Sequence, residues 1–182
     1  MTSIINYLGI EMLIGSIISI VLYSLQAIGL YSIAKQRGIS CPWLAWLPIG
    51  NNWIIGAISD NYQEKANGKT KHKRLLLAAL TVIIICLSIS VFLDFFTMAA
   101  DETALTSDVL KLFVTIGIVC ILMVVYDVLL YIALYHVFKS CDPSTAAMFL
   151  LLSIFVGGSS SIWLFIQRNK YNGVHNAFTG FN

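Results

Sequence analysis

The sequence contains little charge and few of the residues that interrupt apolar segments. Of its 182 residues, 11% are charged and 3 are prolines, whereas 58% are hydrophobic and the mean hydropathy is +0.84. These values lie outside the usual range of soluble domains. The composition therefore excludes an ordinary soluble domain and predicts an integral membrane protein whose surroundings are a lipid bilayer.

Catalytic and metal-binding patterns are also absent. Cys41 and Cys141, with His72 and His136, would supply the donors of a zinc site, but the C-x₂-C and H-x₃-H spacings are missing. No serine nucleophile elbow, HExxH sequence or phosphate-binding glycine loop occurs. Intramembrane aspartyl chemistry requires two facing carboxylates, and only Asp127 lies deep in an apolar stretch. We predict no enzyme, no metal and no cofactor.

Long apolar stretches dominate the chain. Crossing about 30 Å of hydrocarbon takes roughly 20 helical residues, and three stretches predict spanning helices at about 12–35, 75–97 and 109–138. Leu75 to Leu93 contains thirteen Leu, Ile, Val or Phe residues and gains roughly 5 kcal/mol on insertion. We predict one all-α domain over residues 1–182, a helical bundle in the membrane.

Two further apolar segments are interrupted. The first, at about 42–59, has six aliphatic residues, with Asn51 and Asn52 near its middle and Pro48 inside it. Proline lacks the N–H of a helical hydrogen bond, so we expect the helix to break at 48–51 and to leave two arms too short to cross. Three tryptophans favour the headgroup boundary. The segment predicts an interfacial or re-entrant hairpin.

An internal repeat relates the two halves of the chain. Residues 25–35 and 129–139 share five identities in eleven positions, and both close an apolar helix with a lysine. Each is followed by an interrupted stretch, and the second one, at about 144–166, is broken by Gly157 and Gly158. The repeated unit would be a spanning helix followed by a broken hairpin; chance similarity between two apolar helices is the alternative.

The distribution of charge tests this topology. If three helices span and neither hairpin crosses, ten of the eleven basic residues lie on one side of the membrane. Positive residues concentrate on the cytoplasmic side of membrane proteins, so this side is predicted to be the inner one. If 144–166 also crossed, Arg168 and Lys170 would move outside, and the bundle would have four or five spanning helices.

Three short sequences carry a resemblance. RGISCPWLAWLPIGNNWIIGAISD, KSCDPSTAAMFLLLSIF and LFIQRNKYNG are similar to motifs of an uncharacterised group of small polytopic membrane proteins common in Gram-positive anaerobic bacteria. The resemblance covers roughly residues 25–173. It implies a multi-pass protein of the bacterial cell membrane, and it implies no activity, cofactor or functional residue.

Asp127 is the candidate intramembrane site. A carboxylate in the apolar part of a helix costs about 2.5 kcal/mol or more when it faces lipid, so we expect Asp127 to face the bundle. Tyr131 continues its face, and Tyr23 and Gln26 belong to a polar stripe on the first helix. These residues predict either a carboxylate that handles protons or cations, or a hydrogen bond that packs the helices.

A basic cluster precedes the second predicted span. It consists of Lys69, Lys71, Lys73 and Arg74. Such clusters fix topology and attract anionic lipid headgroups, by about 1 kcal/mol per charge. No aromatic residues interleave the cluster, so nucleic acid is not an expected partner. We predict contact with lipid headgroups.

Three classes of function follow. We favour a non-catalytic accessory or regulatory membrane component, because the chain has no soluble domain and no dense set of intramembrane polar groups. Its partner would be another membrane protein or a second copy of the chain. The alternative is a small oligomeric transporter or channel that uses Asp127, supported by the repeat and the broken hairpins. An enzyme ranks last.

Overall fold

A computed structural model describes residues 2–68, 72–100 and 106–169 of the chain. In this part of the chain every regular element is a helix and there is no strand, which confirms the predicted all-α class. The elements are α1 (Thr2–Gln36), a 3-10 helix (Pro42–Trp46), α2 (Pro48–Asn67), α3 (Lys73–Ala100), α4 (Thr106–Cys141), α5 (Ala146–Phe155) and α6 (Ser159–Gln167).

Three of these helices are long and apolar enough to cross a membrane. They are Gly9–Gln36 in α1, Lys73–Met98 in α3 and Val109–Cys141 in α4. Only 17%, 17% and 6% of the residues in their most apolar windows are buried inside the chain, so most of their side chains face outward. An outward apolar surface of this extent is suited to lipid. The chain is a multi-pass membrane protein.

Basic side chains gather at one end of the bundle. The Arg37 guanidinium donates to the Ser140 hydroxyl, and the Gln36 amide donates to the Arg168 carbonyl at 2.9 Å, so the ends of α1, α4 and α6 meet. The basic end, as we call it, carries Lys35, Arg37, Lys73, Arg74, Lys139 and Arg168. The opposite, far end carries Asp94 and Lys111, whose Oδ1 and Nζ atoms lie 3.4 Å apart.

The first interrupted segment consists of the 3-10 helix and α2, which form the first hairpin and turn at Leu47. This residue is extended (φ −95°, ψ 138°), and Pro48 begins α2 at a position where a missing N–H costs nothing. The predicted break at 48–51 is therefore wrong, since Gly50 and Asn51 lie inside the first turn of α2. Gly50 is needed there because a Cβ would collide with the Leu44 carbonyl. The helix also continues beyond the predicted arm, for 20 residues.

The second interrupted segment forms a hairpin of two short helices. Helix α5 ends at an extended Val156 and α6 begins after Gly158, whose φ of 84° is readily adopted only by glycine. The interruption is thus found where the glycines predicted it. Both ends of the hairpin lie at the basic end, because Ser140 before it contacts Arg37 and Arg168 after it contacts Gln36.

The buried core occupies only the half of the bundle next to the basic end, which we call the basic half. Its members come from every helix, and include Leu30, Ile58, Leu77, Phe138 and Leu164. The remaining length of α1, α3 and α4 forms the far half, where the apolar side chains are largely exposed. The two hairpins therefore build the core, and the long helices extend beyond it.

Each hairpin packs against the long helix of the other half of the chain. Helix α6 contacts α1, and α2 contacts α4, while α3 contacts α2 and α4. The α1–α6 contact is close, because a Cβ at Gly29 would lie 2.7 Å from the backbone carbon and oxygen of Leu164. This reciprocal packing holds residues 2–67 and residues 106–167 together in one bundle.

Candidate functional site

Asn51 joins the first hairpin to two other helices. It is 3% exposed, and its Oδ1 accepts a hydrogen bond from Gln26 Nε2 of α1 at 3.1 Å. Gln26 Oε1 in turn accepts from the Ser161 hydroxyl of α6 at 3.2 Å, and Asn51 Nδ2 donates to the Ala45 carbonyl. A buried amide costs free energy unless it is paired, and this chain of bonds satisfies both amides.

Asn52, its neighbour, makes the corresponding connection on another side of α2. Its Nδ2 donates to Thr81 Oγ1 of α3 at 3.0 Å, and Tyr126 of α4 lies beside these two side chains. The first turn of α2 is therefore held to α1 and α3 by side-chain hydrogen bonds. The adjacent asparagines act as a junction, not as a turn.

Tyr23 and Gln26 belong to this junction and do not meet Asp127. The Tyr23 hydroxyl donates to the Trp46 carbonyl at the end of the 3-10 helix, at 2.8 Å. Tyr131 is half-buried and packs against the core. Among the described residues no hydrogen bond connects any of the three to Asp127. The structure therefore divides the predicted quartet into three parts, with Tyr23 and Gln26 at the junction, Tyr131 against the core and Asp127 exposed on α4.

Asp127 lies on the exposed side of α4, so the prediction that it faces the bundle is wrong for the single chain. Its face is not the reason, because Leu134, two turns along on the same face, is 4% exposed. Tyr126, one residue earlier, still packs against the core on another side of α4. On the side of Leu134 the cover by other helices does not extend as far as Asp127, which lies about 21 Å from Cys141 at 1.5 Å per residue.

An exposed stripe continues from Asp127 along α4. It follows helical spacing and consists of Phe113, Gly117, Ile121, Val124 and Asp127, which we call the Asp127 face. The apolar members are 66%, 66% and 63% exposed. A Cβ at Gly117 would meet nothing within 4 Å, so another helix can approach the backbone closely there.

His136 forms a second polar cluster, near the basic end. Its Nδ1 atom lies 3.3 Å from both the Ser59 hydroxyl of α2 and the Lys73 ammonium of α3. Its Nε2 atom lies 3.2 Å from the side-chain amide of Gln63, and the Tyr62 ring packs against the imidazole. The cluster joins α2, α3 and α4 near the basic end.

The donors around His136 determine its tautomer. Ser59 and Lys73 both supply protons toward Nδ1, so Nδ1 is the acceptor and Nε2 carries the hydrogen. Rotating the Gln63 amide places its oxygen, in place of its nitrogen, against Nε2. An imidazole held by three side chains is a structural crosslink.

Asp60 holds the start of α3. It is 8% exposed, and its two oxygens accept the backbone N–H groups of Lys73 and Arg74 at 3.0 and 3.1 Å. These donors belong to the first turn of a helix, where the N–H groups lack partners within the helix and the dipole favours a negative charge. Gly56, one turn earlier, lets α2 pack directly on the Arg74 backbone.

A polar pocket of about 320 Å³ opens beside Asp60. Its walls are the loop after α1, the second half of α2 and the start of α3, and they include Arg37, Asn61, Glu64 and Arg74. Among the residues that the structure describes, no three His, Cys, Asp or Glu side chains lie close enough to share a metal ion. The lining combines the two guanidinium groups of Arg37 and Arg74 with the carboxylates of Asp60 and Glu64.

The predicted headgroup cluster is divided. Lys69 and Lys71 lie outside the described residues. Lys73 turns inward to His136, whereas Arg74 is exposed, with its guanidinium carbon 5.6 Å from the centre of the Trp53 ring. Of the two, only Arg74 lines the pocket.

Sequence reasoning missed the roles of Asn51, Asn52 and His136. Turn preference assigned the asparagines to a break, and metal spacing was the only function considered for His136. A signal was present, because polar side chains in apolar segments require partners and the long helices offer few besides Gln26, Thr81 and Tyr126. Pairing these rare groups across segments would have predicted the junction.

Comparison with known proteins adds no relative. No protein-family model matches the chain, and no curated protein or solved structure is similar to it.

Proposed function

We propose that the chain is a non-catalytic accessory component of a bacterial cell-membrane complex, and that its Asp127 face binds a transmembrane helix of a different protein. The observation that carries the proposal is the exposure of Asp127 in the apolar part of α4. The partner helix supplies a hydrogen-bond donor, basic or neutral, at the depth of this carboxyl.

The energetics favour a protein over lipid at this face. A carboxylate at the centre of a membrane helix costs about 2.5 to 3.5 kcal/mol on insertion scales, and such residues almost always face protein or a water-filled cavity. The single chain supplies no such cover for Asp127. A donor on a neighbouring helix would remove the cost, and Gly117 permits close approach beside it.

The interior polar groups support a structural role. Asn51, Asn52 and His136 are each held by side chains of other helices. The carboxyl of Asp60 caps α3, and Asp94 pairs with Lys111. These groups are engaged in holding the helices together, which fits a scaffold better than a reaction centre.

The chain resembles small polytopic proteins of Gram-positive bacteria, and we place it in the bacterial cell membrane on that ground. The basic end faces the cytoplasm by the positive-inside rule. Both hairpins then enter the membrane from the cytoplasmic side and return to it, as two copies of one repeated unit. The reciprocal packing of α1 on α6 and of α4 on α2 supports the repeat, because equivalent elements make equivalent contacts.

A small oligomeric transporter is the competing proposal. It requires the Asp127 faces of several copies to enclose a path, since the described residues of one chain supply three candidate spanning helices and an outward carboxyl. The two proposals differ in the occupant of the face, which an experiment can identify.

A photo-crosslinking residue at Val124 identifies that occupant in native membranes. We expect an adduct of this chain with one different membrane protein, confirmed by stoichiometric co-purification when that protein carries the tag. The adduct should disappear when Asp127→Leu is added. A crosslinker at Phe92 of α3, which is 67% exposed, serves as the control for nonspecific neighbours.

Other outcomes overturn the accessory proposal. A homo-oligomer adduct, with a proton or cation leak in proteoliposomes that Asp127→Asn removes, establishes the transporter instead. Lipid adducts alone at Val124 show that the face has no protein partner.

A further inference from the structure

The pocket at the basic end lies where the hydrocarbon of a membrane would stop. The candidate spans of α1 and α3 end at Gln36 and begin at Lys73, and the pocket is lined by the next residues, Arg37 and Arg74. A chemical group at this depth is level with phospholipid headgroups. The pocket lies at that level and shares no residue with the Asp127 face.

Two arginines from different parts of the chain line this pocket. The Arg37 guanidinium is positioned by its bond to Ser140, and Arg74 by the Trp53 ring beneath it. Arginine binds phosphate oxygens through a planar set of N–H donors, in two parallel hydrogen bonds where geometry allows. His72 adds a further donor to the same wall. These groups fit a phosphodiester.

The acidic side chains of the pocket are not equivalent. Both oxygens of Asp60 accept N–H groups of α3, so its charge is compensated by the helix. Glu64 is exposed, and it lines the pocket one turn beyond Asn61 on the same helix. A carboxylate with this access binds a primary ammonium. The pocket thus offers cationic groups and one accessible carboxylate in the same volume.

We propose that this pocket binds the headgroup of an ethanolamine phospholipid from the cytoplasmic leaflet. The phosphodiester contacts Arg37, Arg74 and His72, and the ammonium contacts Glu64. The one accessible carboxylate, Glu64, distinguishes this headgroup from a purely anionic one. Choline lipids carry the same phosphate but lack N–H donors for Glu64.

Native mass spectrometry of the detergent-purified chain tests the site. Dioleoyl phosphatidylethanolamine, phosphatidylglycerol, phosphatidylcholine and inorganic phosphate are titrated separately. We expect one equivalent of the ethanolamine lipid to bind at least several-fold more tightly than the other three. Arg74→Gln should weaken it about tenfold, since charged hydrogen bonds have this magnitude.

Two variants give the site its specificity controls. Glu64→Gln should remove the preference for ethanolamine over choline while leaving phosphate-dependent binding in place. Lys35→Gln removes an exposed charge from the same end outside the pocket and should leave binding unchanged. Glu64 and Lys35 are both exposed, so neither substitution disturbs the core.

The proposal fails if Lys35→Gln weakens binding as much as Arg74→Gln, because the basic end would then attract lipid without a site. It also fails if phosphatidylglycerol or free phosphate binds as tightly as the ethanolamine lipid, or if Glu64→Gln leaves the headgroup preference intact.

Discussion

The basic half and the far half of the bundle contain stretches of the same helices in different surroundings. On α1, Leu30 and Ile33 are fully buried, whereas Met12 and Ile20 are 74% and 65% exposed. On α4, Leu134 is 4% exposed and Val124 is 63% exposed. All of these residues are apolar, so hydrophobicity does not distinguish the two halves.

The difference comes from the hairpins. Lipid solvates apolar side chains as well as protein does, so helices in a membrane associate through close packing and hydrogen bonds. The basic half has both, through Gly29 against Leu164 and through Asn51, Asn52 and His136. The far half has exposed glycines and, in the apolar part of α4, the exposed carboxyl of Asp127. Stability should therefore depend on the basic half, and association with a partner should depend on the far half.

The largest expected difference in stability is between substitutions at two glycines of α1. Gly29→Leu places a side chain against the backbone of Leu164, which cannot move aside as a side chain would, and should lower the free energy of unfolding by about 3 kcal/mol. Gly15→Leu meets nothing within 4 Å and gains helix propensity, so stability should stay the same or rise by up to about 1 kcal/mol.

Unfolding of the purified chain by a denaturing detergent in mixed micelles measures both glycine variants. Equal losses would mean that α1 is packed along its whole length, and the contrast between the two halves would be withdrawn.

Two aspartates give the next contrast. Asp60→Ala removes a buried carboxylate that accepts two N–H groups of α3, and should cost about 2 kcal/mol. Asp94→Ala removes the 3.4 Å pair with Lys111, in which the lysine side chain is 68% exposed, and should cost under about 0.5 kcal/mol. Thermal unfolding in mild detergent measures both variants. A larger loss of stability for Asp94→Ala than for Asp60→Ala would contradict the conclusion that stability depends on the basic half.

A smaller effect is expected at the asparagine junction. Asn51→Ala removes the bond to Gln26 and should cost about 1 kcal/mol, within the range measured for side-chain hydrogen bonds between membrane helices. In a double-mutant cycle with Gln26→Ala, the coupling should be about 0.6 kcal/mol. Ser16→Ala is the matched control, because that hydroxyl bonds only to Met12 of its own helix. No coupling would mean that the two amides act independently.

The sequence predicted the long helices well and the junctions poorly. Insertion energy depends on composition along one segment, so the three spans follow from apolar length alone. The start of α2 depends on Leu47 becoming extended so that Pro48 can begin a helix, and its length depends on Gly56 and Asp60 meeting α3. Those contacts join segments far apart in the chain, which periodicity does not report.

Asp127 could not be placed for a related reason. Helical periodicity gave its face correctly, since Leu134 on that face is buried. It could not give how far along this side of α4 the cover by other helices extends. The internal repeat also fails to predict the surroundings of Asp127. Tyr23 occupies the equivalent position in the first half of the chain and donates to the Trp46 carbonyl. Asp127 receives no corresponding contact within the described chain.

The smallest expected effect therefore carries the most information about the far half. Asp127→Asn should change the free energy of unfolding of the purified chain by less than about 0.5 kcal/mol, because the carboxyl is exposed and the substitution is nearly isosteric. In native membranes the same variant should weaken the crosslink from Val124 to the partner, since an amide replaces the charged acceptor. A stability loss in the purified chain comparable to that of Asp60→Ala would show that Asp127 is enclosed within one molecule. The far half would then be part of the core, and the distinction between a half that folds and a half that binds would disappear.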